Sequence, residues 1–153
     1  MAYRRKTWTE KLADDKGLPK VARIEGKMTR KWGEGTMLIP APREVDAEMR
    51  EVRRGRVATI NDLRTQLATK HGADVGCPIT TGIFAWIAAH AAAEQEAAGK
   101  KRVTPWWRTV KAGGELNPKY PGGCEEQARR LRAEGHRVER KGQRWLVEMP
   151  ARF

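Results

Sequence analysis

The sequence predicts a mainly helical fold with a small β component. Three observations carry this. Helical apolar spacing with helix-boundary residues runs between positions 42 and 99. An amphipathic stretch covers 121–135. Two extended stretches then flank Lys141-Gly142 near the C-terminus.

The first forty residues have weak periodicity and three breaker clusters: Gly17-Leu18-Pro19, Gly33-Glu34-Gly35 and Ile39-Pro40-Ala41-Pro42. Trp8 and Trp32 are too apolar to hang free. Residues 1–41 therefore read as an irregular N-terminal arm docked through these two indoles. A second reading has the arm track phosphates through Arg4, Arg5, Lys6, Arg30 and Lys31; the two are compatible. Pro42 then opens a helix, since its missing N–H costs nothing in the first turn. Val45, Met49 and Val52 form its apolar stripe and Gly55 ends it. Arg56 to Ile60 is extended. Thr59 or Asn61 caps the next helix, 62–70, which stops at His71-Gly72. A long helix follows over 80–98, with Ile83, Trp86, Ile87 and His90 on one side and Gly99 just past its end.

Two helices joined by a turn-rich segment after a small strand suggest a helix-turn-helix core. No Lys or Arg occurs from Gly72 to Gly99. Major-groove readout uses Arg, Lys, Asn or Gln on base edges. An alanine-rich helix instead suits close approach to backbone or a shallow minor groove, or simply burial in the core. Both readings stand at this point. In the helix over 121–135, Arg129, Arg130 and Arg132 face outward, and Ala128 and Leu131 face inward. The hairpin after it is a candidate wing, with Arg137, Arg140, Lys141 and Arg144 toward phosphates or toward solvent.

Composition narrows the function classes. The 153 residues fit one domain with a modest extension, and 33% are charged. The net charge of +12 favours a polyanionic partner. It is spread as +5, +4 and +3 over residues 1–40, 41–124 and 125–153, so no polybasic tail accounts for it. No apolar run spans a bilayer and the N-terminus lacks a signal-like apolar core, so no membrane partner is expected and the chain reads as cytoplasmic. Cys77 and Cys124 form no CxxC pair, and His71, His90 and His136 lack ligand spacing. No metal or other cofactor is expected.

The most informative segment begins Thr104-Pro105-Trp106-Trp107-Arg108. It runs through a glycine-rich stretch to Tyr120, Gly122 and Gly123. Adjacent tryptophans after a proline are either packed core or the wall of a pocket. Residues 42–136 resemble the DNA-binding domain of alkylguanine-DNA alkyltransferases (methylated-DNA–protein-cysteine methyltransferases). That family carries a proline-cysteine-histidine-arginine motif, a glycine-rich loop with a tyrosine, and a helix ending in Glu-Gly. This chain offers Pro105-Trp106-Trp107-Arg108, then Tyr120 and Gly122-Gly123, then Glu134-Gly135, with Gly55 to Ile60 resembling the approach to the first helix of the pair.

The resemblance implies a winged helix-turn-helix-like domain over 42–136, the arm over 1–41 before it and a C-terminal hairpin extension over 137–153. It also implies an interface. Pro105, Trp106, Trp107, Arg108, Tyr120, Gly122, Gly123, Ile60, Thr81, Gly82 and Glu134 would form the base pocket. Arg56, Lys111, Lys119, Arg137 and Lys141 would contact phosphates. The departures decide the chemistry. Trp106 stands at the nucleophile position, and indole has no thiol to accept an alkyl group. Trp107 stands at the activating histidine, so no catalytic residue is expected. Ile60 stands where the family has a phosphate-rotating tyrosine, and Gly82 near its arginine finger. Glu134 then reads as a surface or helix-end carboxylate. Neither Cys77 nor Cys124 has an adjacent histidine, and both read as inert.

The expected function is that of the alkyltransferase-like branch, which also carries tryptophan for cysteine: non-catalytic binding of double-stranded DNA, recognition of alkylated guanine and signalling to a repair-protein partner. The alternative is a protein–protein interaction module on a retired alkyltransferase scaffold, presented through the alanine-rich face of 80–98 and the arm.

Overall fold

The computed structural model describes residues 5–149. Arg4 of the arm and residues 150–153 of the C-terminal extension lie outside the described residues. Short regular elements punctuate the arm: α1 (Trp8–Ala13), β1 (Lys20–Arg23), α2 (Met28–Trp32) and β2 (Thr36–Ile39). Thr7 caps α1 in a box with Glu10. β1 runs antiparallel to β2, with Val21 opposite Leu38. β1 is almost wholly exposed, so no apolar alternation marks it in the sequence. Leu38 on β2 is fully buried and ties the hairpin to the core.

α3 (Pro42–Arg50) starts at the expected proline, and Glu44 reaches back to the Ala41 N–H at 2.9 Å. Its stripe of Val45 and Met49, with Val52 just beyond, has no exposure. β3 (Ala58–Thr59) leads into α4 (Ile60–Lys70). The Thr59 hydroxyl and the Asp62 carboxylate form a capping box, so Thr59 rather than Asn61 is the cap and the helix starts two residues before the expected 62. β4 (Val75–Gly76) lies in the turn after α4 and pairs in parallel with β2, Met37 opposite Val75. The arm is therefore stitched into the connection between the two central helices.

α5 (Pro78–Ala97) is the longest helix among the described residues. Its buried face is Thr81, Phe84, Ala85, Ala88, Ala91 and Ala92. These recur at helical spacing, and the small side chains let α1, α3 and α4 pack close. The alanine-rich face is thus core, which removes it as the docking surface of a protein–protein module. Ile83, Trp86, Ile87 and His90, expected on one side, differ in depth of burial. Ile87 is 8% exposed, whereas Ile83 is 45% exposed.

The chain then makes a 3-10 turn at Trp106–Arg108, β5 (Thr109–Val110) and a second 3-10 turn at Ala112–Gly114. β5 pairs in parallel with β3, Thr59 opposite Val110. α6 (Gly123–Ala133) is followed by β6 (Val138–Lys141) and β7 (Arg144–Val147), an antiparallel hairpin. A second apolar cluster joins them: Val57, Val110, Leu116, Ala128, Leu131, Val138 and Val147. The Leu116 N–H donates to the Trp145 carbonyl at 2.8 Å, which fastens the hairpin to the glycine-rich stretch. The protein is mainly helical, with small strands and a C-terminal hairpin.

Candidate nucleic-acid interface

The Pro-Trp-Trp-Arg motif is anchored on α3 before it begins. Thr104 Oγ1 donates to Asp46 Oδ1 at 2.6 Å in a buried contact. Pro105 is half-buried at the entry to the turn. Trp106 is 1% exposed. Its ring meets Trp107 and Tyr120 edge to face, with centroids 5.8 Å apart in each case. Tyr120 is buried too, and burial pushes its phenol far above the ordinary value. Above the two indoles lies the Arg130 guanidinium, 5.4 Å from Trp106 and 4.8 Å from Trp107. Arg130 was expected outward. It is instead folded over these rings and held by Glu96 at 2.5 Å and Glu126 at 2.8 Å. Its neighbours Arg129 and Arg132 do face solvent.

Of the two sequence readings of the tandem tryptophans, packed core describes Trp106. The rings that would have walled an open base pocket close on one another. The Trp106 Nε1–H is buried among them with no hydrogen-bond acceptor among the described residues.

Arg108 and Glu134 form the second fixed point. Arg108 Nε and Nη2 donate to the two Glu134 oxygens at 2.9 and 2.8 Å, and Nη1 donates to the Val52 carbonyl at 2.9 Å. Burial alone would raise the Glu134 pKa. The Arg108 hydrogen bonds outweigh it, with help from the Trp107 indole, and hold the carboxyl below its ordinary value. The residue sits at a helix end as expected, but its side chain is only 5% exposed, so it is not a surface carboxylate.

Sequence reasoning missed Gln127. Fully buried on α6, it donates to the carbonyls of Trp107 and Thr109 at 3.2 and 3.1 Å and accepts the Asn117 N–H at 3.0 Å. It thereby locks the motif to the glycine-rich stretch. The signal was its place beside Ala128 and Leu131 on the inward face, which its polarity masked. Gly122 adopts φ +75 at the start of α6, and a Cβ there would lie 2.6 Å from the Glu126 Cβ, so the position admits glycine alone. Gly123 follows with φ +73.

Beside this packed centre lies an open groove of about 450 Å³. One wall is α5, with Ile79, Gly82, Ile83 and Trp86. The other is Lys111 and the loop Asn117-Pro118-Lys119. The Trp86 Nε1–H donates to the Lys119 carbonyl at 3.1 Å, and a His90 ring nitrogen meets the same oxygen at 2.9 Å. The arm completes the support from behind. Trp8 stacks on His90 at 4.5 Å and meets Trp86 edge-on at 4.8 Å. Glu94 accepts the N–H groups of Trp8 and Thr9, each at 3.1 Å. On the arm's other side, Trp32 lies under the Arg64 guanidinium, 5.5 Å away.

The structure therefore brings Gly82, Lys111 and Lys119 together on one groove. Ile60 opens α4 directly after the β3–β5 pairing and packs, partly buried, against the main core. Thr81 points inward: it is 1% exposed and its hydroxyl donates to the Cys77 carbonyl at 2.6 Å. Arg56 is exposed in the connection before β3. Arg137 and Lys141 are exposed on a separate depression of the hairpin, which Glu139 and Glu148 also line. Cys124 is half-buried, and burial pushes its thiol up, away from nucleophilic reactivity. Cys77 is half-buried at the start of α5. Among the described residues no group of three or more His, Cys, Asp or Glu side chains is placed to hold a metal ion. No helix among them is long and apolar enough to cross a membrane.

Fold and site together define a mainly helical domain with a Pro-Trp-Trp-Arg turn, folded around the buried Trp106, beside a lysine-edged groove. Among solved structures, the chain is similar to S. pombe Atl1 in complex with damaged DNA containing O6-carboxymethylguanine. The TM-score is 0.45 at 17% identity, covering 70% of this chain and 87% of that one. No protein-family model matches the chain, and no curated protein matches it.

Proposed function

We propose that this protein binds double-stranded DNA and transfers no alkyl group. The observation that carries the reading is Trp106. The motif that resembles an alkyl-accepting turn is folded around an indole that is 1% exposed, with a second indole where a proton relay would stand. Carbon–nitrogen ring chemistry at this position supplies no thiolate for a displacement. The net charge of +12 supplies the attraction to phosphate. Lys111 and Lys119 put two of those charges on the rim of the groove.

The finer form of the proposal adds recognition of alkylated guanine and signalling to a repair-protein partner. The motif resemblance supports it. Since Trp106 and Tyr120 fill the interior, such a lesion would be read at the groove, against Pro118 and Trp86, rather than enclosed behind the motif. The test compares plain duplex with the same duplex carrying O6-methylguanine, followed by intact-mass measurement. The proposal expects binding of both, tighter for the lesion, and an unchanged protein mass. Equal affinity removes the lesion-sensing part. A methyl adduct on Cys77 or Cys124 removes the non-catalytic part.

A further inference from the structure

The fold sets one part of the arm, the β1–α2–β2 segment, against α4. β2 pairs with β4, which ties the segment to the turn between α4 and α5. In that turn the Asp74 carboxylate accepts the Thr36 N–H at 2.9 Å and the Thr36 hydroxyl at 3.2 Å. α2 ends on Trp32, whose ring meets two cations. Lys31 Nζ lies 5.0 Å from its centroid and the Arg64 guanidinium of α4 lies 5.5 Å from it. Arg64 is fixed in place: Nε donates to the Gly76 carbonyl at 2.9 Å and Nη1 donates to Asn61 Oδ1 at 2.7 Å. That leaves Nη2 without a partner among the described residues.

The charge gathered at Trp32 is not cancelled. Among the described residues neither Arg64 nor Lys31 has a carboxylate within ion-pair distance. Asp74 spends its carboxylate on Thr36, and Glu34 lines a different depression with Arg23. Burial pushes the Arg64 guanidinium below its ordinary pKa, and only the Cys77 thiol opposes that. Arg108 and Arg130, also partly buried, are both paired with glutamates. Arg64 is held by neutral oxygens instead, with a second cation at the same indole. Two such charges repel one another until an anion joins them. A planar guanidinium with an unspent N–H beside a mobile ammonium suits a phosphate group, whose oxygens accept from both.

The position suits a duplex already held at the groove. The Gly76 carbonyl that fixes Arg64 is three residues from Ile79, which lines the groove, so the two residues are at most about 11 Å apart. A strand leaving the groove past Ile79 comes within reach of Arg64. We infer that Arg64 and Lys31, set at Trp32, form a second phosphate clamp through which the arm grips the DNA backbone on one side of the groove. This rests on the duplex-binding reading above. It gives the arm a share in the interface beyond its docking on the domain.

The test uses the full chain and an unmodified duplex long enough to extend past the groove on both sides. Affinity is measured over a range of salt concentrations, and hydroxyl-radical footprinting records which backbone positions are covered. The Lys31→Gln/Arg64→Gln variant lowers the salt slope by about two. It loses protection at one flank of the footprint, and the rest of the protected stretch stays covered. Lys31→Gln alone leaves the fold intact, because the side chain is exposed, and lowers the slope by about one. Arg64→Lys keeps the charge and with it the slope. A folded double variant with the wild-type slope and footprint overturns the clamp and leaves duplex binding standing. Uniform weakening of the whole footprint, with no flank lost, assigns Arg64 a purely structural role and overturns the clamp as well. A wild-type protein that binds no duplex at low salt overturns both readings.

Discussion

Removing the Arg108 guanidinium tests the frame that holds the motif. Arg108→Ala deletes both hydrogen bonds to Glu134 and the bond to the Val52 carbonyl. The side chains are only 14% and 5% exposed, so water replaces little of what is lost. Breaking one side of such a pair strands a buried charge, which costs about 3–5 kcal/mol. For a chain of this size that lowers Tm by roughly 6 to 20 °C. Denaturant unfolding with linear extrapolation measures the loss. pH gives an internal check. The Glu134 pKa is depressed in the folded state, so its contribution is full above the ordinary carboxylate value and vanishes as pH falls through the depressed one. The gap between wild type and variant is therefore widest near neutrality and narrows in acid. The Arg108→Met/Glu134→Leu double variant removes both charges and lies well above the single variant in stability. An Arg108→Ala variant within about 1 kcal/mol of wild type at neutral pH would refute the reasoning.

Three further outcomes are expected. Trp106→Cys restores a thiol but leaves no histidine beside it, so intact mass after incubation with methylated duplex stays unchanged; the cavity left by the indole lowers stability by about 3–5 kcal/mol in denaturant unfolding. Trp8→Ala frees α1 from His90 and Trp86; stability falls by about 2 kcal/mol, and amide exchange speeds up over residues 117–120, whose Lys119 carbonyl those side chains hold. In acid, the Arg129 and Arg130 hydrogen bonds hold Glu126 at about 2 against the 4.5 of a free glutamate. The pair's contribution is thus present above that ordinary value and is lost as pH falls toward about 2, seen as a falling melting midpoint over that window.

Local chemistry explains which parts of the fold were legible in the sequence. Pro42 and Lys141-Gly142 each fix backbone geometry within a few residues, and α3 and the hairpin appear where they point; of the two candidate caps, Thr59 is the one used, so α4 begins at Ile60. The pairing of β2 with β4 depends on residues nearly forty positions apart, and β1 has no buried face to betray it. α5 left two readings open for a different reason. Alanine-rich spacing is compatible with close approach to DNA or with burial, and the alanines form the core because only small side chains admit the neighbouring helices. The motif was legible as a motif. Its closure was not: that Arg130 folds over Trp106 depends on Glu96, from a helix end distant in sequence.

The central claim is duplex binding by phosphate attraction on a scaffold whose Pro-Trp-Trp-Arg motif carries no thiol. A titration of plain duplex against the full chain over a range of salt concentrations tests it most directly. The account predicts measurable binding at low salt and a log affinity that falls linearly with log salt, with a slope reflecting several released counterions. Absence of binding at low salt, or affinity indifferent to salt, would contradict it.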